Sequence, residues 1–236
     1  MSGAAARDVL LEVCLDSAQS ARAAEEGGAR RVELCARLDV GGVTPSFDLL
    51  RRTRDAITIA LHVMIRPRGG NFVYSADEIT AMKADIAVAK AVGADGVVFG
   101  VLRPNRTVDR VLLAELVALS RPLAVTFHRA FDEAAEPLSA LEDIIACGAD
   151  ILLTSGQRSV APEGLLLLGE LARRAGEQIV VMPGSGVNAE NAQRILAETG
   201  ARAIHVGSAV HDRPGGVVQA ALVKKFMERV RKASHP

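Results

Sequence analysis

Aromatic residues are scarce in this chain: no tryptophan, one tyrosine and six phenylalanines among 236 residues. Base-stacking surfaces of the kind that hold single-stranded nucleic acid are therefore not expected. Charge of one sign is missing too, because 28 Lys and Arg balance 28 Asp and Glu. A nucleic-acid binder or a polybasic membrane patch wants a basic surplus, so neither partner is expected. No apolar run approaches the ~20 residues of a spanning helix. The opening MSGAAARDVLLEVC offers only Val9–Leu11 as an uninterrupted apolar stretch, unlike a secretory leader, which points to the cytoplasm. The three cysteines, Cys14, Cys35 and Cys147, are odd in number and too few for a disulfide scaffold. In a reducing compartment they are free thiols, metal ligands or core filler. No nucleotide cofactor is evident.

What the chain does have is 49% hydrophobic and 24% charged residues, the profile of a globular protein. Short β-rich apolar runs alternate with longer helix-favouring segments. The strands are expected at Val9–Cys14, Val32–Cys35, Ile59–Ile65, Gly96–Val101, Leu123–His128, Asp150–Thr154, Gln178–Met182 and Ala203–Gly207. The helices between them are expected at Ser17–Glu26, Phe47–Ala56, Ser75–Val92, Asp109–Leu119, Pro137–Cys147, Glu163–Ala175, Ala189–Glu198 and Val217–Lys232. Ser75 ahead of Asp77 and Glu78 resembles a capping box, and Asn188 is placed to cap the seventh helix.

A repeated junction supports this reading. Gly-Ala-[Arg/Asp] recurs at Gly28, Gly93, Gly148 and Gly200, each time between a helix and a strand. Glycine there can take the left-handed C-cap conformation that returns the chain to the sheet. Each interval holds two strand–helix units, so the junctions mark strands two, four, six and eight. Such alternation demands a parallel sheet with right-handed crossovers. Eight units fit an α/β fold of one domain spanning residues 1–236, a (β/α)8 TIM barrel; an open doubly wound sheet is the structural rival.

Alternation along barrel strands sorts inward from outward side chains. One face carries Glu12 with Cys14, Glu33 with Cys35, His62 with Met64 and Arg66, Thr126 with His128, and His205. The other carries Leu11, Val13, Leu34, Leu61, Val63, Ile65, Ile204 and Val206. The face aimed inward is thus the polar one, where a barrel built for stability alone would place Val, Ile and Leu. Burying such groups unpaired costs roughly 2–7 kcal/mol per neutral group and more per charge. A hydrated, cross-paired pocket explains the pattern; so does a structural ion-pair lattice, with Glu12 or Glu33 paired to Arg66. Several of these residues fall at carboxyl ends of strands, where barrel active sites are built.

The loops that follow add donors. Arg66 opens the loop after strand three, Arg129 follows His128 after strand five, and Ser155 follows strand six. Gly184, Ser185 and Gly186 follow strand seven, and Gly207 and Ser208 follow strand eight. Small residues in the last two loops can present backbone N–H groups to an anion, and arginines add bidentate donors. Cys14 and Cys35 end neighbouring strands in the same phase, and strands run ~4.8 Å apart, so one soft ion could reach both sulfurs. Thiolates favour Cu(I), with Met64, His62, His128 or His205 able to complete a shell; small buried filler is the alternative role. Zinc lacks its usual spacings here, and Cys147, at the opposite rim, reads as structural. Two catalytic arrangements also fit: a Cys14 or Cys35 nucleophile with a histidine base, and a Glu/His acid–base pair acting on a small phosphate- or carboxylate-bearing molecule.

These motifs resemble those of the copper homeostasis protein CutC family. The similarity is carried by the Glu12–Cys14 and Glu33–Cys35 segments, GGVTPS at 41–46, HVMIRPRGG at 62–70, VTFHRAFD at 125–132, LLTSG at 152–156 and VMPGSG at 181–186. It covers nearly the whole chain. Departures stand at Asn71, where an acidic residue is expected, at Ser185, where a glycine is usual, and at Ala203-Ile204 ahead of His205. The resemblance implies a single TIM barrel, a cytoplasmic location, homo-oligomers in some members and a role in copper handling. It also implies that Cys14 and Cys35 correspond to the strand-end cysteines to which Cu(I) binding has been attributed.

Overall fold

The computed structural model describes residues 9–213 and 215–232. Eight strands and eight helices alternate along it. The strands are β1 (Leu10–Leu15), β2 (Arg31–Leu34), β3 (Ala60–Met64), β4 (Gly96–Phe99), β5 (Ala124–Phe127), β6 (Ile151–Thr154), β7 (Val180–Pro183) and β8 (Ala203–Val206). The helices are α1 (Ala18–Glu26), α2 (Phe47–Ala56), α3 (Ala76–Val92), α4 (Arg110–Ser120), α5 (Pro137–Ala146), α6 (Leu165–Ala175), α7 (Ala192–Thr199) and α8 (Ala220–Lys232). The strands are hydrogen-bonded in the order β7-β6-β5-β4-β3-β2-β1-β8. Every ladder is parallel. β7 and β8 lie side by side, although no ladder joins them among the described residues. The result is a nearly closed, single-domain (β/α)8 TIM barrel. No helix of the described residues is long and apolar enough to cross a membrane.

Local chemistry sets the element ends. Ser17, Ser46 and Asp109 cap α1, α2 and α4 with their side chains. Ser75 and Glu78 complete a reciprocal capping box at α3. All four junction glycines adopt positive φ: Gly28 at 94°, Gly93 at 82°, Gly148 at 83° and Gly200 at 70°. Two helices start later than the sequence suggested. α7 begins at Ala192, because residues 189–191 form a separate turn whose N–H groups at Glu190 and Asn191 are taken by the Asn188 side chain. α8 begins at Ala220 because Val218 first bridges back to His211.

The core lies between sheet and helices, as the alternation required. Leu11, Val13, Leu34, Leu61, Val63, Ile65, Ile204 and Val206 are buried in one cluster with the inner faces of the helices. The barrel lumen is divided. Ile151, Leu153, Met182 and Ala203 fill the side under β6 to β8 with apolar packing. Cys35, Met64 and Val98 form a second small cluster, with Cys14 and Leu38 against it. Between them lie the polar groups.

Candidate functional site

The register of β8, β1, β2 and β3 places Glu12 beside both Arg31 and His205, and Glu33 beside both Cys14 and His62. Glu12 is wholly buried. Arg31 Nε donates to Glu12 Oε2 at 2.5 Å, and His205 Nδ1 donates to Glu12 Oε1 at 2.7 Å. Arg31 also reaches the Met182 sulfur with Nη2 at 3.1 Å. Burial works against charge on Glu12, yet Arg31 and then His205 hold its carboxyl down at about 2. Burial opposes charge on His205 as well, but Glu33, Cys14 and Glu12 outweigh it and raise its pKa.

This ion pair differs from the expected lattice. Arg66, proposed as the counter-ion of Glu12 or Glu33, instead gives Nη1 to the carbonyls of Val40, Gly41 and Gly42 at 3.0–3.2 Å and Nη2 to that of Gly70 at 2.7 Å. Its guanidinium lies 4.9 Å from the centre of the Phe72 ring. Arg66 therefore stitches the loop after β2 to the loop after β3. The cation paired with Glu12 is Arg31, which precedes Glu33 by two residues and shares its face. Extending the second strand back by one residue reveals it; starting that strand at Val32 hid it.

Above this layer stand the thiols. The Cys14 and Cys35 sulfurs lie 4.0 Å apart. Cys35 is buried, and its sulfur is 3.7 Å from Glu33 Oε2. Ligand atoms of Cys14, Glu33 and Cys35 lie within 4.8 Å of one another, as do those of Glu12, Glu33 and His205. A Cβ on Gly42 would stand 3.0 Å from the Cys35 sulfur, so the glycine pair 41–42 lets the loop close over it. The contact with Cys35, then burial and the Glu33 charge, push the Cys14 thiol well above its ordinary 9.0. For Cys35 the contact with Cys14 works the other way, but burial and Glu33 still lift it to about 11. Burial likewise raises Glu33, with His205 opposing and Glu12 adding to the rise.

Two more of the histidines named from sequence, His62 and His128, are held neutral by burial. Both ring positions depend on glycines in β4 and the residue after it: a Cβ on Gly96 would come within 2.5 Å of the His62 ring, and one on Gly100 within 2.5 Å of the His128 ring. Burial lowers His62 to about 4, and its Nδ1 lies 3.5 Å from Thr126 Oγ1 and 4.0 Å from Glu12. Burial and then the Arg66 charge lower His128 to about 3. His128 Nδ1 accepts from the Ala130 N–H at 3.2 Å, so the ring proton sits on Nε2.

One cavity of about 220 Å³ gathers much of this set. Cys14, Glu33, Arg66, His128, Arg129 and His205 line it together with Leu38, Met64, Phe72 and Leu153. Glu12 and His62 lie outside this lining, in the layer beneath. The proposed anion loops are placed differently. Gly184 packs against Leu153 and His205. The Ser185 hydroxyl donates to the Ser159 carbonyl at 3.0 Å, and Gly186 packs on Val160. Ser185, Gly186, Gly207 and Ser208 are not among the residues lining this cavity. Ser155 is bound into a network around Asp132, whose carboxylate also accepts from Thr154, Gln157 and Arg129. Asp132, within the run VTFHRAFD, is a second residue missed from sequence: it fixes both Arg129 and the loop after β6. Cys147 is remote, its thiol donating to the Arg110 carbonyl at 3.5 Å.

Comparison with known proteins adds relatives to this geometry. The CutC family model matches residues 9–210. The chain is 49% identical over 220 residues to a CutC family protein of Chromobacterium violaceum, covering 91% of this chain and 89% of that one. It is 51% identical over 201 residues to the copper homeostasis protein cutC homolog of Homo sapiens, covering 85% of this chain and 74% of the human one. The crystal structure of CutC from Streptococcus agalactiae superposes with a TM-score of 0.80 at 33% identity, over 84% of this chain and 98% of that one. Thiamine phosphate pyrophosphorylase from Pyrococcus furiosus superposes with a TM-score of 0.66 at 20% identity, over 96% and 98% of the two chains, and shares the fold alone.

Proposed function

The chain belongs to the CutC family of copper homeostasis proteins, and from that footing we propose that it handles copper in the cytoplasm by holding one Cu(I) ion between Cys14 and Cys35. The observation that carries this reading is the 4.0 Å separation of the two sulfurs. Metal–thiolate bonds run ~2.3 Å, so one ion bridging two sulfurs spans at most ~4.6 Å. The separation falls inside that span.

The surroundings favour a soft cation over a free thiolate pair. Both thiols are held protonated at neutral pH, Cys14 by its contact with Cys35 and then by burial and Glu33, Cys35 by burial and Glu33. An ion that displaces their protons turns the Glu33 charge from a cost into a gain. Met64 packs in the same small cluster as Cys35, and thioether and thiolate neighbours suit Cu(I) better than the harder divalent ions. A reducing cytoplasm keeps such close thiols available.

Anaerobic competition titration with a chromogenic Cu(I) chelator tests the reading. Wild type is expected to take one Cu(I) per chain. Cys14→Ser and Cys35→Ser should each weaken binding, and the double variant should abolish it. Equal affinity in wild type and the double variant would refute the assignment.

A further inference from the structure

The thiols and the Glu12–Arg31 pair leave part of the lumen unexplained. Three residues lining the cavity above them hold buried polar atoms without hydrogen-bond partners: Glu33 Oε1, His128 Nε2 and Arg66 Nε. An unpaired buried donor or acceptor is costly, and a native protein that keeps three around one cavity has a reason to do so. A bare two-sulfur ion site satisfies none of them.

Their chemistry is complementary. His128 Nδ1 is occupied by the Ala130 N–H, so Nε2 carries the proton and needs an acceptor. Glu33 Oε1 needs a donor. Arg66 and Arg129 also line the cavity; Arg129 is ion-paired with Asp132 through Nε, so the donors left for an anion at the His128 end are His128 Nε2–H, the unpaired Arg66 Nε–H and the rest of the Arg129 guanidinium. Phe72 and Leu38 supply apolar wall for a carbon skeleton. The volume, about 220 Å³, falls below the ~300–1,000 Å³ of sites for drug-sized ligands, which favours a small occupant.

We infer that this cavity binds a small hydroxycarboxylic acid, its carboxylate received by His128 Nε2–H and Arg129 and its hydroxyl donated to Glu33 Oε1. The carboxylate takes the unpaired His128 donor, with the unpaired Arg66 Nε–H a second donor of the same kind, and the hydroxyl supplies the unpaired Glu33 acceptor. This site stands whether or not the thiols carry copper.

Thermal unfolding of the reduced, metal-free full chain tests it. The probes are L-lactate, D-glycerate and L-malate, with propionate and inorganic phosphate as comparison arms. At 10 mM, at least one hydroxy acid is expected to raise Tm by roughly 2 °C or more. Propionate, which lacks the hydroxyl, should give less than a third of that rise, and phosphate likewise. His128→Phe keeps an aromatic ring beside Phe72 but removes the donor, and should erase the shift. Arg129→Met, at the exposed rim, should reduce it at least threefold and decides the matter where the first variant does not fold. Absence of a shift with every hydroxy acid, an equal shift with propionate or phosphate, or an unchanged shift in Arg129→Met would each overturn the inference.

Discussion

Replacing Arg31 by methionine probes the interior most sharply. Arg31 is nearly buried, and its guanidinium is the strongest influence holding the wholly buried Glu12 ionised. Methionine keeps length and apolar volume but leaves the carboxylate without its main partner. Glu12 falls from an ordinary 4.5 to about 2 in the fold; at ~1.4 kcal/mol per pH unit, that difference corresponds to about 3 kcal/mol of stability. Breaking a buried pair by removing one partner typically costs about 3–5 kcal/mol, and a loss of that order is expected in Arg31→Met. The Arg31→Met/Glu12→Gln double variant, with neither charge left, should recover at least half of the loss. Urea denaturation at pH 7 of wild type, both single variants and the double variant gives the coupling energy directly. The same experiment run downward in pH has a definite sign. A carboxyl lowered on folding stabilises above its ordinary value, so wild type should lose this contribution as pH falls from 4.5 towards 2, and Glu12→Gln should lose less. A loss below about 1 kcal/mol in Arg31→Met, or a double variant no better than the single, would show that the pair does not hold the lumen together.

Two further outcomes follow from the same electrostatics. His62, lowered to about 4, stays neutral in the fold while the unfolded chain protonates near 6.5. It therefore subtracts stability as pH falls between those values, and His62→Gln should flatten the decline of the urea midpoint over that window. A slope identical to wild type would contradict the neutral assignment. The thiols make Cu(I) affinity pH-dependent: with Cys35 lifted to about 11 and Cys14 raised as well, binding releases close to two protons. The apparent affinity should rise by nearly two decades per pH unit between 6 and 8 in competition titrations. A flat profile would mean the thiols are not the ligands.

Much of the fold was legible because it rests on local rules. All four Gly-Ala-[Arg/Asp] glycines take positive φ, Gly93 and Gly200 as the helix C-caps and Gly28 and Gly148 one residue beyond theirs, and period-two alternation sorted Leu11 and Val13 from Glu12 and Cys14 correctly. The lumen was harder. Arg31 escaped because the second strand was begun one residue late, a boundary set by pairing with β1 and β3 and not by local composition. Arg66 was given the wrong partner because its true ones are backbone carbonyls of two loops, and nothing in a side-chain pattern announces those. Gly96 and Gly100 read as ordinary strand glycines; only their contact with the His62 and His128 rings shows what they make room for. The delayed start of α7 followed from an Asn188 turn that sequence alone does not separate from a helix cap.

The copper reading depends on two sulfurs meeting one ion at the barrel mouth. X-ray absorption at the copper edge of the Cu(I)-loaded chain reads that contact directly. The account predicts a first shell containing two sulfur neighbours at ~2.3 Å, lost in Cys14→Ser/Cys35→Ser. A shell of nitrogen and oxygen alone, or one unchanged by the double substitution, would contradict it.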